Sequence, residues 1–390
     1  MSAHGSASGE APATPTDQVR GSGLPRDPDL PAGTVLWKAH GTQNSFLLVD
    51  DPEGLVDVSP ATVATLCDVS RGIGADGLIR CVRVDGRWFM DYRNADGSLA
   101  EMCGNGVRVF VDHLRRVGLV DLAEGDVLEV GTRGGTKRVR ALGPRPAQVP
   151  GPVWERGTPG RAAGEGGGAP AGGVPGGPVA TGGVPTGAVP AHTGGSEQWY
   201  AIDMGPAATT GVADTSVTVV GLEGVFEGIR VTMPNPHVVI DVASREALRD
   251  AVLPTTDIHA APEGLRPTYD PDPAGGINLE LVVDVTEPGA QVGHLLMRVL
   301  ERGVGETRSC GTGCCAAAVA SAARRGAGAP RTWIVEVPGG SVRVDLGEGT
   351  PSSGAGSSGA GQPGVTLSGP ATPIAEVRSV PGSKSALFGA

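Results

Sequence analysis

Two cysteines of this chain share the same sequence surroundings. Cys103 lies nine residues after Asn94 and is followed by Gly-Asn-Gly, while Cys310 lies nine residues after Glu301 and is followed by Gly-Thr-Gly. Apolar residues recur at helical spacing after Cys103, and a run of small residues follows Cys310. The sequence therefore predicts that each cysteine lies at the N-terminus of a helix.

A cysteine in this position can take part in proton transfer. The unpaired backbone N–H groups and the positive end of the helix dipole favour a thiolate and can bind a substrate carboxylate. The flanking glycines carry no side chain that would block the approach of a ligand. Two such helix ends facing each other could hold one carboxylate between two thiols. This arrangement suits the movement of a proton from one face of a carbon to the other, because that reaction needs an acid and a base on opposite sides.

The thiol that acts as the base needs a lowered pKa. A thiol with the ordinary pKa of ~8.5 is only a few per cent ionised at pH 7. The helix dipole contributes ~0.3–2 kcal/mol, whereas a shift of two pKa units corresponds to roughly 2.7 kcal/mol. A neighbouring side chain is expected to help, and His237 and Glu301 are the candidates. The alternative is that His237 is an ordinary loop histidine and Glu301 a solvated strand end.

Four asparagines are predicted in turns or at strand edges of corresponding elements. Asparagine in a turn is ordinarily there for backbone reasons. In equivalent places, and together with Arg302, these amides could instead line a site for ammonium and carboxylate groups. The four are Asn44, Asn94, Asn235 and Asn278.

Other chemistries fit the residues less well. Cys310, Cys314 and Cys315 lack the paired C-x-x-C elements of a structural zinc site, so no metal is expected and the last two are predicted to be small core residues. Residues 72–77 match the dinucleotide fingerprint, but a strand is predicted after them where nucleotide binding needs a helix. None of the three lysines is well placed for a Schiff base with pyridoxal phosphate, and Lys137 is predicted in a glycine-rich turn.

The charge and the hydropathy pattern restrict the partners. A net charge of -11 and scattered arginines argue against nucleic acid. No apolar run approaches ~18 residues and no signal peptide is evident, so a cytoplasmic protein without a membrane segment is expected. The expected partners are an amino-acid substrate and, in a homodimer, a second copy of the chain.

The order of elements repeats within the chain. Strand, asparagine turn, strand, helix, strands and cysteine helix follow one another in residues 34–118 and again after residue 228, which implies an internal duplication. The predicted boundaries are a disordered tail (1–33), a first domain (34–146), a flexible Gly/Pro-rich insertion (147–198), a second domain (199–362), a final strand returning to the first domain (363–378) and a tail (379–390).

Long motifs of the chain resemble those of the diaminopimelate epimerase family. They are His40-Gly-Thr-Gln-Asn-Ser-Phe46, Arg93-Asn-Ala-Asp-Gly-Ser-Leu-Ala-Glu-Met-Cys-Gly-Asn-Gly106, Met233-Pro-Asn-Pro-His237, Gly276-Ile-Asn-Leu-Glu280 and Glu301-Arg-Gly-Val-Gly-Glu-Thr-Arg-Ser-Cys-Gly-Thr-Gly313. The resemblance implies an α/β (α+β) fold of two pseudo-symmetric domains, each with a mixed sheet wrapped around a central helix, and an active site in the cleft between them. It also implies cofactor-independent interconversion of LL- and meso-diaminopimelate, on the route to lysine and peptidoglycan.

The resemblance also implies residue roles. Cys103 and Cys310 would be the acid and the base, and His237 and Glu301 would adjust their pKa values. The residues implied to bind the substrate are Asn44, Asn94, Gly104, Asn105, Asn235, Asn278, Glu301, Arg302, Gly311 and Thr312.

Three positions depart from the family pattern. Ser45 stands where an aspartate is expected, Pro234 where a glycine is expected, and Gly77 where many members carry a glutamine. These departures leave open a second interpretation, a two-thiol racemase or isomerase with another substrate. A third interpretation is a thiol redox or binding protein, and a Cys103–Cys310 disulfide could be an oxidised, inactive form.

Overall fold

The protein is described here from a computed structural model, which covers residues 30–31, 33–147, 149, 197–347 and 364–378. The predicted insertion and the two predicted tails lie almost entirely outside these described residues. The first half of the described chain contains β1 (Val35–Gly41), β2 (Asn44–Asp50), α1 (Pro60–Cys67), β3 (Gly77–Val84), β4 (Arg87–Asn94), α2 (Gly104–Arg116), β5 (Val127–Val130) and β6 (Lys137–Pro144).

The second half contains the remaining elements, with a short 3-10 turn at Glu263–Leu265. They are β7 (Gln198–Pro206), β8 (Ala208–Thr209), β9 (Thr215–Thr218), β10 (Phe226–Thr232), β11 (Pro236–Asp241), α3 (Arg245–Asp250), β12 (Thr268–Asp270), β13 (Asn278–Asp284), β14 (Val292–Glu301), β15 (Gly305–Thr307), α4 (Gly311–Arg325), β16 (Thr332–Val337), β17 (Gly340–Leu346) and β18 (Gly364–Arg378). Lys137 begins a strand, so its predicted place in a turn was wrong.

Each half wraps a mixed sheet around one helix. In the first half, β18, β1, β2, β3 and β4 pair in that order, β5, β6 and β7 continue the sheet, and β7 pairs with β18 again. In the second half, β18, β17, β16, β14, β13, β11 and β10 pair in that order, and β8 pairs with β10. Helix α2 is surrounded by the first set of strands and α4 by the second. The predicted α/β fold with a central helix in each half is confirmed.

Strand β18 belongs to both halves. Its first residues pair with β17, its last residues pair with β1, and β7 lies along Gly364–Ala371. Strand β18 has 15 residues. Because both sheets share β7 and β18, the two halves form one continuous hydrogen-bonded framework.

The two halves repeat the same strand pairings. Strand β2 is parallel to β3, and β3 is antiparallel to β4; in the same way β11 is parallel to β13, and β13 is antiparallel to β14. In the register of the parallel pairs, Phe46 lies opposite Gly77 and His237 lies opposite Asn278. This register makes Phe46 equivalent to His237, and Gly77 equivalent to Asn278.

Both central helices are buried, and the small residues of α4 help to explain why. Helix α2 is buried from Gly104 to Leu114, and α4 is buried over most of Gly311–Ser321. Alanine and cysteine dominate the first turns of α4, so the surrounding strands can approach its backbone closely. Cys314 and Cys315 are fully buried, as predicted for small core residues.

A shorter helix packs against the outside of each sheet. Helix α1 begins after Ser59, whose side chain accepts a hydrogen bond from the backbone N–H of Thr62. Helix α3 begins after Ser244, whose side chain accepts a hydrogen bond from the backbone N–H of Ala247. Both N-caps follow the preference of serine for that position. No helix of the described residues is long and apolar enough to cross a bilayer.

Candidate active site

Both cysteines occupy the N-cap position of a central helix. Cys103 (φ −136°, ψ 119°) immediately precedes α2, and Cys310 (φ −125°, ψ 115°) immediately precedes α4. Each residue is extended while the next residue is helical, which is the ordinary backbone geometry of an N-cap. The predicted location of both thiols at helix N-termini is confirmed.

The starts of α2 and α4 face each other across the junction of the halves. A methyl group added at Gly311 would lie 3.7 Å from the Cα of Gly104 and 3.0 Å from the side chain of Leu367 in β18. The side chain of Asn105 donates a hydrogen bond to the backbone oxygen of Ser309, over 3.4 Å. Two positive helix ends and their free N–H groups therefore converge on one region, as carboxylate binding requires.

A buried pair of hydroxyls fixes this junction. Thr42 Oγ1 and Ser309 Oγ lie 2.6 Å apart, and Thr42 also donates to Asn105 Oδ1 over 3.4 Å. Thr42 has φ 47°, a left-handed conformation that is unfavourable for a β-branched residue. Neither residue was predicted to belong to the site, because a threonine in a turn and a serine before a cysteine carry no distinctive sequence signal.

The first thiol contacts an asparagine, and apolar side chains lie beside its helix. The thiol of Cys103 donates to Asn44 Oδ1 over 3.5 Å, and Asn105 Nδ2 donates to the same oxygen over 3.3 Å. A methyl group at Gly106 would lie 3.4 Å from Ile79 and 3.5 Å from Phe46. The space beside the first turn of α2 is therefore filled by hydrocarbon.

The second thiol has polar neighbours. Cys310 Sγ lies 3.4 Å from the hydroxyl of Thr312. Glu301 accepts hydrogen bonds from Thr307 and from Cys310. The structure thus places three predicted site residues, Cys310, Thr312 and Glu301, in one cluster.

A fully buried histidine and glutamate lie behind the second thiol. His237 Nδ1 lies 2.7 Å from Glu280 Oε1, and His237 Nε2 lies 3.0 Å from Asn235 Oδ1. Both side chains have 0% exposure. The imidazole is therefore held between the carboxylate of Glu280 and the amide of Asn235.

Glu280 was not predicted to be a site residue. A methyl group at Gly313, in the first turn of α4, would lie 2.6 Å from Glu280 Oε1, so only glycine leaves room for this carboxylate. Among the described residues, Glu280 Oε2 has no hydrogen-bond partner. The available sequence signal was an acidic residue within the otherwise apolar strand Leu279–Val283, where a charge is costly unless it is paired or functional.

The remaining predicted site residues are Asn278, Arg302 and Asn94. Asn278 Oδ1 accepts a hydrogen bond from the backbone N–H of Arg302 over 2.8 Å, while Asn278 Nδ2 lies 3.5 Å from His237 Nδ1. The guanidinium of Arg302 donates to the backbone oxygen of Gly275 and its side chain is exposed. Asn94 donates to Ser98 Oγ over 3.0 Å, so its amide is held within its own loop.

Burial dominates the pKa values of both thiols. Burial raises the pKa of Cys103 to about 11, the backbone N–H groups of Gly106 and Asn105 lower it, and the charge of Glu301 raises it. Burial raises the pKa of Cys310 well above its usual value, and Glu301 and Glu280 raise it further. The expected effect of Glu301 therefore has the opposite sign to what a thiolate needs, because a nearby carboxylate disfavours a second negative charge.

Glu301 is itself altered by the site. Burial raises the pKa of its carboxyl group, while Thr307, Cys310 and the charge of His237 lower it. The charge of His237 thus favours the ionised form of a carboxyl group whose own charge raises the pKa of both thiols. A protonated Glu301 would remove the charge that opposes thiolate formation.

Two departures from the family pattern have structural explanations. Ser45 donates from its backbone N–H (2.6 Å) and from its hydroxyl (3.1 Å) to Asp76 Oδ2, which also accepts from Asn44. An aspartate at position 45 would repel this carboxylate. A side chain at Gly77 would begin 2.5 Å from the backbone oxygen of Arg93, so a glutamine does not fit there. Pro234 is exposed in the turn before Asn235.

Comparison with known proteins identifies the family. The family model described as diaminopimelate epimerase matches residues 36–144 and 229–358. The chain belongs to the diaminopimelate epimerase family. The resemblance of its motifs to that family is thus confirmed, and the chain is that of an isomerase.

Individual relatives agree with this assignment. A diaminopimelate epimerase of Streptomyces coelicolor is 39% identical over 323 residues, which cover 79% of this chain and 86% of the relative. A diaminopimelate epimerase of Thermobifida fusca is 36% identical over 354 residues, which cover 87% and 95% of the two chains. A crystal structure of a PhzF-family phenazine biosynthesis protein from Bacillus anthracis has a TM-score of 0.52 at 12% identity, covering 88% of this chain and 98% of the other. This last likeness concerns the fold alone.

Proposed function

We propose that this member of the diaminopimelate epimerase family interconverts LL- and meso-2,6-diaminopimelate without a cofactor. One thiolate takes the proton from the α-carbon, and the thiol on the opposite face returns a proton to it. The observation that carries the proposal is that two cysteines cap two helices whose first turns, at Gly104 and Gly311, touch. This arrangement supplies an acid and a base from opposite sides of one binding region.

The proton count requires one negative charge throughout the reaction. Before reaction, one sulfur is a thiolate and the other a thiol. The thiolate becomes a thiol as the α-carbon loses its proton and becomes a carbanion. The second thiol then protonates the carbanion and becomes the thiolate. The enzyme therefore ends with its charge on the other sulfur, and a second turnover in the same direction needs a proton exchange with solvent.

The helix ends supply the groups that bind the reacting carboxylate. Gly104, Asn105, Gly311 and Thr312 occupy the first positions of α2 and α4. Their backbone N–H groups have no partner within the helix, so they are available to an anion. Hydrogen bonds from these groups also stabilise the extra negative charge on the carboxylate when the α-proton leaves.

The second amino-acid group of the substrate is proposed to bind at the edge of the cluster. Asn44, Asn235 and Asn278 offer amide oxygens and nitrogens, and Asn94 lies at the same end of its sheet. Arg302 is exposed, and among the described residues no carboxylate forms an ion pair with it. Its guanidinium is therefore free to bind the distant carboxylate, for which the planar fork of arginine is suited.

A solvent-isotope assay tests the proposal. The purified, reduced protein is placed in D2O without cofactor. It is given LL-diaminopimelate or another amino acid, including proline, in separate reactions. Deuterium should enter the α-carbon as meso-diaminopimelate forms. The Cys67→Ala variant is the matched control, because Cys67 is a buried thiol on the outer helix α1. Faster exchange with another amino acid would replace the proposed substrate, and absence of exchange with all of them would overturn the proposed reaction.

A further inference from the structure

A second charged residue of α2 lies fully inside the protein. Arg108 has 0% exposure and is located five residues after Cys103. Its guanidinium donates to Asn105 Oδ1 (2.7 Å), to the backbone oxygen of Pro370 (3.2 Å) and to that of Gly104 (3.4 Å). All three acceptors are neutral.

This buried cation has no carboxylate partner within the described part of the chain. Among the residues that the structure describes, no aspartate or glutamate forms an ion pair with Arg108. Burying a charge is unfavourable, and natural proteins ordinarily pair such a charge with an opposite one. Hydrogen bonds to neutral oxygens satisfy the N–H groups but leave the net charge in place. Stability alone therefore gives no reason for an arginine at this position.

The surrounding backbone leaves space for the guanidinium. A methyl group added at Gly369 of β18 would lie 2.9 Å from Arg108 Cζ, and one added at Gly41 of β1 would lie 3.1 Å from Arg108 Nη2. Side chains at these positions would displace the guanidinium. Three separate segments, from β1, β18 and the start of α2, thus enclose it.

The charge lies between the two cysteine helices. Ionised Cys103, Cys314 or Cys315 would each raise the pKa of Arg108, which places the guanidinium close to α2 and α4 alike. Cys315 is five residues after Cys310, the position equivalent to that of Arg108, so the second half has a small side chain where the first half has the arginine. Burial lowers the pKa of Arg108 to about 10, and the group therefore remains positively charged at neutral pH.

Two other titratable groups of the described residues interact with Cys103, and neither carries a positive charge. Glu301 of β14 and Tyr92 of β4 interact with this thiol, and Glu301 raises its pKa. Arg108 is the cation whose charge lowers the pKa of Cys103. The positive ends of the helices act in the same direction but are only partial charges.

We propose that Arg108 is a positioning residue whose buried positive charge, held behind the facing helix ends, favours the one negative charge that the two sulfurs and the reacting carbon share. This inference rests on the proposed two-thiol reaction, which needs that charge at every stage. Arg108 does not touch the reacting atoms in this role. It acts through Asn105 and through the electrostatic potential at the starts of α2 and α4.

Alkylation of Cys103 measures this effect without a substrate. The reduced full-length protein is treated with iodoacetamide from pH 7 to pH 9, where Arg108 is charged, and peptide mass spectrometry follows Cys103. In Arg108→Gln, which keeps a donor toward Asn105 but removes the charge, alkylation below the midpoint should slow about tenfold, the effect of one pKa unit. Arg108→Lys should stay close to the native rate. Arg115→Gln on the same helix is the control, because Arg115 bonds to Leu122 and Gln198 outside the site.

The outcomes separate a charge effect from a structural one. A folded Arg108→Gln protein whose Cys103 is alkylated at the native rate would overturn the inference, even if its melting temperature fell. Should the neutral variant not fold, Arg108→Lys decides: alkylation at the native rate supports the inference, and alkylation slowed tenfold or more refutes it. Failure of the native protein to act on diaminopimelate would refute the proposed function while leaving the alkylation result to decide the role of Arg108.

Discussion

The surroundings of Cys103 and Cys310 show what a duplicated fold preserves and what it does not. The strands behind the two thiols pair in the same register, but Phe46 and Ile79 in the first half correspond to His237 and Glu280 in the second. The first thiol therefore has hydrocarbon behind it, and the second has a buried ionisable pair. Duplication kept the backbone geometry of the two helix ends while the electrostatics diverged.

The difference gives the two thiols unequal acidity. Burial raises the pKa of Cys103 to about 11 and the charge of Arg108 lowers it, whereas burial and two carboxylates all raise the pKa of Cys310. A thiol with a pKa of about 11 is ionised to roughly one part in ten thousand at pH 7. In the ligand-free protein Cys103 should thus be the first of the pair to ionise, and substrate binding must supply the remaining stabilisation.

The largest expected effect is the loss of either thiol. Cys103→Ala and Cys310→Ala should each lower the rate of epimerisation by about 10²–10⁴-fold, because each removes one of the two proton-transfer groups. The measurement is the turnover of LL- and meso-diaminopimelate in both directions, with Cys67→Ala as the control. Retention of activity within tenfold in either variant would mean that the two halves do not both contribute to catalysis.

The next largest expected effect concerns the buried His237–Glu280 pair of the second half. Glu280→Ile should destabilise the protein by about 3–5 kcal/mol, because it leaves His237 buried without its charged partner. The double variant His237→Phe/Glu280→Ile reproduces the apolar residues of the first half and should recover at least half of that loss. Urea unfolding of the three proteins measures both values, with Ile79→Val (about 0.5–1.5 kcal/mol) as the matched change in the first half.

A double variant no more stable than Glu280→Ile would show that the two halves are not interchangeable in packing. The same double variant should have lost epimerase activity, since it removes the residues that act on Glu301 and Cys310. Full activity in the double variant would instead show that His237 and Glu280 have only a structural role.

A pH experiment compares the two thiols directly. Because both pKa values are raised, the thiolate fraction of each should grow about tenfold per pH unit below its pKa. Iodoacetamide at pH 9 should therefore label Cys103 at least tenfold faster than Cys310, which is also the more buried of the two. Peptide mass spectrometry of the reduced protein gives both rates. Equal rates, or faster labelling of Cys310, would contradict the proposed asymmetry.

The smallest effect concerns a feature that the two halves share. Ser59→Ala and Ser244→Ala each remove the N-cap of an outer helix and should each destabilise the protein by about 1 kcal/mol. Neither residue lies at the cysteine cluster, so the epimerisation rate should stay unchanged. Thermal or urea unfolding measures the loss. A much larger loss from one of the two would show that the outer helices contribute unequally to their halves.

Local sequence patterns were sufficient to predict the family, the internal duplication and the location of both cysteines at the starts of helices. Helical periodicity, Gly-x-Gly after each cysteine and the serines before α1 and α3 all act within a few residues of the chain. For this reason the secondary-structure elements and most of the candidate site residues could be predicted from the sequence alone. The long cysteine motifs were specific enough to indicate the family.

The electrostatics of the site depended on the tertiary structure. The pairing of His237 with Glu280 and the contact of Thr42 with Ser309 join residues that are far apart in sequence. The buried charge of Arg108 has no carboxylate partner among the residues that the structure describes. The sequence led to the expectation of lowered thiol pKa values, because the helix dipole is a local property. Burial reversed that expectation, since desolvation is the sum over every element packed around a group and no local pattern contains that sum.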